Sequence, residues 1–383
     1  PLPFTLELKT FRIDYHAGSD APKDYSSKVA VTARGRQFEF EISMNHPLKY
    51  HGYRFYQSSF DHDMNGTLLS VSHDPWGVPI SYAGYYLLMA SLFGFFFVKQ
   101  SGFRAALARI SKWAAVIALL MVSAQASAQT ASGPMIGEEQ DIVVPAKAES
   151  IYHKMDHPKP LAIGLVTLGM VLSVVTGVLT ARGKKIPHAV VQTEISVAVA
   201  VFVFLTLVLG LRWYVQHHIP MASGFEMMML IAWCAMLAAW AFMKRLPVLA
   251  PMAFILAGFA LLVAALGSHD SQMEPLKPVL ASPLLAIHVG CMMVSYTLFG
   301  LAAFNGIMGL AIRNSEARSN LADISMVILY PAVFLLTTGT FLGAIWANVS
   351  WGSYWAWDPK ETWALITVLV YMTGLWHSSN GWL

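Results

Sequence analysis

The sequence predicts an all-α polytopic membrane bundle of about nine transmembrane helices, preceded by an N-terminal β-rich extracytoplasmic domain. Three observations carry this reading. Of 383 residues, 56% are hydrophobic and 12% charged, at a mean hydropathy of +0.53; soluble domains carry about twice that charged share. Apolar runs of bilayer length recur from about residue 80 onward. The first 77 residues lack such runs and alternate polar with apolar side chains.

Residues 1–77 contain stretches such as Gln37-Phe38-Glu39-Phe40-Glu41-Ile42 and Thr67-Leu68-Leu69-Ser70-Val71. Period-two alternation bounded by Gly, Pro, Asn and Asp reads as short strands of a half-exposed sheet. Nine apolar runs follow, at about 80–98, 113–127, 161–181, 190–211, 225–243, 247–267, 284–312, 326–347 and 362–377. Inside lipid the backbone must satisfy its own hydrogen bonds, so each run is expected as a helix. The second and ninth are short. The second follows Arg109 and Lys112 and precedes small residues through Ala128, which also resembles a signal peptide. Its place after another span favours a true span, and a processed junction near Ala128 is the alternative. The 128–160 segment, poor in apolar residues, reads as a flexible linker. The resulting domain boundaries are 1–77, 78–98, 99–160 and 161–383.

Positive charge orients the bundle. One set of connections carries Lys99, Arg104, Arg109 and Lys112, then Arg182, Lys184 and Lys185, then Lys244 and Arg245, then Arg313 and Arg318. These alternate correctly and are placed in the cytoplasm. Residues 128–160, 212–224, 268–283 and 348–361, with the N-terminal domain, are expected to face outward. The reading is a multi-pass membrane protein. The bilayer is an expected partner; nucleic acid is not. Cys234 and Cys291 both lie inside apolar runs, and no C-x-x-C occurs, which argues against a thiol redox centre and against a covalently attached haem of the chain's own. The chain begins without Met and ends in Trp382-Leu383 just after an apolar run, so it is expected to be a piece of a longer protein.

The stretch that carries chemistry is Trp351-Gly352-Ser353-Tyr354-Trp355-Ala356-Trp357-Asp358-Pro359-Lys360-Glu361-Thr362-Trp363. Trp and Tyr favour the headgroup level of a membrane, but a plain interfacial belt requires neither this density nor the intervening Asp, Lys and Glu. An aromatic platform flanked by charges suits a flat apolar ligand with polar edge groups.

This pattern resembles the tryptophan-rich WWD signature of the haem-handling superfamily, and its Lys360-Glu361-Thr362-Trp363 continuation is similar to the CcsA branch of system II cytochrome c biogenesis. Ser282-Pro283-Leu284-Leu285-Ala286-Ile287-His288-Val289 resembles the CcsA segment that opens a helix with an outward histidine. Asn45-His46-Pro47-Leu48-Lys49-Tyr50-His51-Gly52-Tyr53-Arg54-Phe55-Tyr56-Gln57-Ser58-Ser59 is similar to the end of the ResB extracytoplasmic domain. Nearly the whole chain is covered, in the order of a fused ResB–CcsA synthase lacking both extremities.

The resemblance implies a cytochrome c synthase of a bacterial inner membrane, its active face toward the periplasm or cell exterior, that moves haem b to the outer face and attaches it to the C-x-x-C-H segment of apocytochrome c, with thiol reductants keeping that substrate reduced. It implies that Trp351, Gly352, Trp355, Trp357, Asp358 and Trp363 frame the haem, that His288 is an axial ligand to its iron, and that His377 ligates haem at an inner site. The family's second outward histidine and a second transmembrane histidine fall outside this chain. A haem exporter or delivery subunit without ligase activity is the alternative; the ResB-like segment argues against it. A generic transporter would favour inverted repeats with broken helices, and a haem-copper oxidase would need clustered helix histidines; neither is visible. Met221-Ala222-Ser223-Gly224-Phe225-Glu226 resembles a CcsA segment, although a capping role alone explains a Glu at a helix start. His217 and His218 read as an interfacial pair. Glu194 is an intramembrane carboxyl with no partner identifiable in the sequence. His46, His51, His62 and His73 show no metal-site spacing.

Overall fold

The structure is a computed structural model that describes residues 2–15, 22–33, 35–61, 66–98, 101–110, 150, 159–182, 184–242, 249–267 and 276–379. The chain divides into two compact units, one of residues 1–92, 274–288 and 338–366, the other of residues 93–273, 289–337 and 367–383.

The first unit begins with six strands: β1 (Thr5–Tyr15), β2 (Pro22–Ala33), β3 (Arg36–Ser43), β4 (Leu48–Tyr50), β5 (Tyr53–Phe60) and β6 (Thr67–His73). They form two antiparallel three-stranded sheets, β1-β2-β3 and β4-β5-β6. The 37–42 alternation becomes β3, with Val29 opposite Phe40 and Val31 opposite Phe38. Phe4, Val29, Val31, Ile42, Leu48 and Phe55 share one core between the sheets; fully burying such a side chain contributes about 1.5–3 kcal/mol. A two-residue turn, His51-Gly52, joins β4 to β5, and both residues have positive φ (50° and 81°). That is the type I′ pattern, whose twist matches the flanking strands.

Strand β5 does not keep a clean alternation. Phe55, Tyr56 and Gln57 are all buried, because the strand is covered on both faces. Phe55 enters the core, and Gln57 bonds Ser27 and Thr67. Arg54 and Tyr56 take the opposite face.

The first unit also holds most of α1 (Gly77–Phe95), whose first N–H is capped by Asp74 (Gly77 N to Asp74 Oδ1, 2.7 Å). It further includes the start of α7 (Pro283–Ala311), the end of α8 (Ser315–Trp351) and the start of α9 (Pro359–Ser379).

The second unit contains α2 (Gly102–Ile110), α3 (Lys159–Ala181), α4 (His188–Gln216), α5 (Gly224–Phe242), α6 (Leu249–Leu266) and the remainder of α7, α8 and α9. Helix α6 packs on α5 and α3, and α4 packs on α5 and α3. Ala232, Ala235 and Ala239 of α5 and Ala253, Ala257, Ala260 and Ala264 of α6 are buried at i, i+3, i+4 spacing. Small residues at this spacing let two helix backbones approach where lipid supplies no hydrophobic drive between helices.

Among the described residues, six helices are long and apolar enough to cross a membrane: Gly77–Phe95, His188–Gln216, Gly224–Phe242, Leu249–Leu266, Pro283–Ala311 and Ser315–Trp351. They coincide with six of the nine predicted runs. The 161–181 run appears as α3, with a shorter apolar stretch at Ile163–Leu179. The 362–377 run appears as the 21-residue α9, which is not one of the six. The 113–127 run, the Ala128 junction and all of the 128–160 linker except residues 150 and 159–160 lie outside the described residues. The architecture is that of a multi-pass membrane protein with a β-rich N-terminal region.

Several polar groups inside these helices are paired. Thr176 Oγ1 donates to Glu194 Oε1 at 2.9 Å, which supplies the partner the sequence did not reveal. Asn305 donates to Leu321 O and Ser325 Oγ. Arg212 and Glu226 form a buried ion pair at 2.6 Å, each at most 1% exposed. Arg109 grips Asp323 through Nε and Nη2 at 2.6–3.0 Å. Its guanidinium is held above its ordinary range by the hydrogen-bonded Asp323 carboxylate.

Candidate functional site around the tryptophan loop

The predicted aromatic stretch is the connection between α8 and α9. Helix α8 stops because Gly352 follows Trp351 with φ +86°. A side chain there is excluded twice: by the left-handed backbone and by Tyr56, whose Cε2 would lie 2.6 Å from a Cβ. Around this stop, Asn348 organises the helix end. Its backbone oxygen accepts from Gly352 N–H (3.2 Å) and its Nδ2 donates to Gly352 O (3.3 Å). Its Oδ1 accepts from Arg54 Nη1 (2.8 Å) and from Tyr82 OH (2.9 Å). Asn348 is fully buried, and a buried amide must find such partners. Ser350 Oγ donates to Asn45 Oδ1 at 2.6 Å, and Asn45 Nδ2 donates to Val279 O.

Helix α9 restarts on a capping box. Asp358 Oδ1 accepts from Glu361 N–H (2.8 Å), and Glu361 Oε2 accepts from Asp358 N–H (3.4 Å). Pro359 occupies the first helical position, where its missing N–H costs nothing. Glu361 Oε2 also accepts from Ala356 N–H at 2.8 Å. Trp357, between these two amides, has φ +57°, uncommon for a bulky residue. The structure therefore gives Asp358, a sequence-predicted binding residue, a helix-capping position.

Between the helices the rings spread outward. Trp351, Trp357 and Trp363 are 45%, 68% and 67% exposed, and Trp355 is half-buried. Trp346 meets Trp351 edge to face at 4.8 Å, and Trp355 meets Trp357 likewise at 5.7 Å. The indole N–H groups of Trp346 and Trp355 and the Tyr56 hydroxyl are buried without a hydrogen-bond partner.

His288 belongs to the same unit as this loop. Its Nδ1 lies 2.6 Å from Gly339 O. A carbonyl only accepts, so geometry assigns the proton to Nδ1 and the lone pair to Nε2. The imidazole rests against Gly343 of α8: a Cβ there would lie 2.6 Å from His288 Cε1 and 2.7 Å from Nδ1. His377 falls in the last turn of α9, in the other unit.

The remaining sequence candidates take structural positions. Glu226 starts α5 in a second capping box, accepting from Ser223 N–H (3.2 Å) and Ala222 N–H (2.8 Å), while its own N–H donates to Ser223 Oγ. Its other oxygen takes the Arg212 ion pair, and Arg212 lies 5.1 Å above the Phe225 ring. His217 ends α4 at φ +56°, and His218 Nδ1 contacts Ile219 O at 3.1 Å. Among the described residues, no group of three or more His, Cys, Asp or Glu could hold a metal ion. Sequence reasoning missed Tyr56, Arg54, Tyr82, Asn348, Trp346 and Gly343. Only the ResB-like 45–59 stretch contains the first two.

The geometry is an aromatic loop and, on the helix that leads into it, two glycines that hold one histidine in a defined tautomer. Two family patterns match this polypeptide: that of the cytochrome c assembly protein over residues 221–383, and that of the ResB-like family over residues 1–69. Protein NrfI of Wolinella succinogenes is 41% identical over 175 residues, 43% of this chain and 19% of that protein. CcsA of Chlamydomonas reinhardtii is 33% identical over 198 residues, 46% of this chain and 55% of that protein. CcsA of Mesostigma viride is 31% identical over 222 residues, 46% of this chain and 71% of that protein. The chain belongs to the CcsA family of cytochrome c biogenesis proteins. It carries a ResB-like segment ahead of the CcsA-like part in one polypeptide, the fused ResB–CcsA arrangement. It spans about a fifth of the NrfI protein and about half of the Chlamydomonas CcsA.

Proposed function

We propose that this chain is the core of a cytochrome c synthase, which carries haem b across a bacterial inner membrane and joins it covalently to apocytochrome c on the outer face. The observation that carries the reading is His288. Its Nδ1 is engaged by Gly339 O at 2.6 Å, which leaves Nε2 with a lone pair for haem iron, the arrangement of an oriented metal-binding histidine.

The parts divide the work. Trp351, Gly352, Trp355, Trp357, Asp358 and Trp363 form the haem frame: the rings would face the porphyrin, Gly352 lets Tyr56 pack against the helix end, and Asp358 fixes the helix start. His288 holds the iron at the outer site and His377 at the inner one. Each thiol of the C-x-x-C-H segment then adds across one vinyl group. A carbon–sulfur bond forms, the thiol proton ends on the neighbouring vinyl carbon, and no group leaves. Thiol reductants keep both cysteines available. The protein contributes position, and holding two reactants in register is worth about 7–11 kcal/mol.

The test is the absorption spectrum of the detergent-purified protein reduced with dithionite, wild type against His288→Ala. The reading expects a haem Soret band and sharp reduced bands in wild type, weakened in the variant and restored by added imidazole. A variant with unaltered bands, or a wild type without haem, overturns it. Ligase activity is read separately, as peroxidase-active haem retained on a co-expressed apocytochrome after denaturing electrophoresis.

A further inference from the structure

We infer that Tyr56, Trp346 and Trp355 form a carboxylate subsite beneath the tryptophan loop, and that it takes the propionate groups of haem; this rests on the haem reading above.

Three donors in one small region lack acceptors: the Tyr56 O–H and the Trp346 and Trp355 indole N–H groups are buried with no hydrogen-bond partner. Buried polar groups are nearly always satisfied, and each exception asks for a reason. Contacts along the α8–α9 corner connect the residues that carry them. Trp346 lies edge-on to Trp351 at 4.8 Å. Gly352 follows Trp351 and lies against the Tyr56 ring. Ser353 Oγ donates to Trp355 O at 3.2 Å. Tyr56 is 2% exposed, so its hydroxyl gains nothing from water.

An indole N–H can only donate, so the missing partner is an acceptor. The charge nearby says which kind. Arg54 shares the β5 face of Tyr56 and bonds the neutral amide of Asn348, and among the described residues no carboxylate pairs with it. An anion with several acceptor oxygens answers both observations, and the porphyrin's two propionates supply such groups on the edge of a flat aromatic body. Donor bonds to a charged acceptor are the stronger kind, each worth roughly a 10- to 100-fold change in affinity.

The experiment titrates the haem-depleted full chain in detergent with haem and with its dimethyl ester, following the Soret band. The ester keeps the ring, the iron and the vinyl groups but removes the negative charges. Wild type is expected to bind haem roughly 10-fold or more tightly than the ester, and Tyr56→Phe and Trp346→Phe are each expected to shrink that preference while leaving ester affinity unchanged. Equal wild-type affinity for both, the result also expected if these donors serve a peptide carbonyl, overturns the subsite and leaves the haem reading standing. Binding of neither ligand overturns the haem reading itself. Haem-free Tyr56→Phe is expected to unfold at the wild-type temperature or above; a clear fall would mean that the hydroxyl has a partner within the protein, and would also overturn the subsite.

Discussion

Gly343→Ala isolates the support behind His288. The added methyl would sit 2.6 Å from Cε1 and 2.7 Å from Nδ1 of the imidazole, where ordinary carbon contacts lie at about 3.5–4.0 Å. The ring must therefore move by about 1 Å. The Nδ1–Gly339 contact, 2.6 Å in the native protein, would stretch to about 3.6 Å and cease to be a hydrogen bond. Losing it costs about 1 kcal/mol, while Gly to Ala inside a helix gains about 1 kcal/mol. The two effects offset each other, so thermal stability without haem is expected to stay within about 1 kcal/mol of wild type. Nε2, however, leaves its position, and a displacement of about 1 Å in a reacting geometry can cost about 100-fold. Reduced absorption spectra and covalent haem transfer should both fall, with partial recovery of the spectrum in imidazole. An unaltered spectrum would refute the claim that Gly343 and Gly339 set the imidazole. So would a stability loss well above 3 kcal/mol, which would mean that the helix itself cannot accept the methyl.

Three further outcomes follow from other contacts. Glu226→Gln removes the carboxylate charge that neutralises the buried Arg212 and should destabilise by about 3–5 kcal/mol, whereas Arg212→Met combined with Glu226→Leu should recover most of that loss; thermal unfolding in detergent decides, and an equal loss in both would show that the pair does not act as a unit. Glu361→Ala removes an acceptor shared by two amides, should cost about 1 kcal/mol, and should speed hydrogen exchange at residues 356–361 without affecting β2. Asp24 sits on β2 with its carboxyl held above its ordinary value of 3.8, chiefly by burial. Its contribution to stability is thus fully present below that ordinary value and lost as pH rises through the raised one. Asp24→Asn should slow exchange of the β2 amides at neutral pH, a gain that disappears as pH falls below about 3.8; a gain independent of pH would assign the effect to something other than the charge.

Much of the fold was legible because two periods dominate the chain. Alternation at 37–42 and 67–71 gave β3 and β6, and apolar run length gave the six long helices. Lengths were less legible. Arg212 looked like the start of a loop because it ends an apolar run, yet α4 continues to Gln216, since Glu226 neutralises the guanidinium and makes its burial tolerable. That partner is fourteen residues away in another helix. The Glu194 pairing with Thr176 was hidden for the same reason. At the candidate site, composition exposed the tryptophans and the family resemblance pointed to His288, but neither showed what holds them. Asn348 bonds Arg54 across 294 residues and Ser350 bonds Asn45 across 305, separations at which periodicity carries no signal.

Trp357 is held by an unusual kind of support. Two amides that flank it, those of Ala356 and Asp358, converge on a single Glu361 oxygen, and the residue between them is kept at φ +57°. A left-handed conformation costs an ordinary residue about 1–2 kcal/mol, and glycine would remove that cost together with the ring. The orientation of this indole is consequently a matter of charge more than of packing: its ring is mostly exposed, and what fixes its backbone is an anion at the mouth of a helix. A sterically wedged ring is indifferent to ionic strength, whereas this one is tethered to a field that salt, a nearby cation or the surface potential of anionic lipid can weaken. The most exposed tryptophan of the loop is thereby its most electrically addressable one.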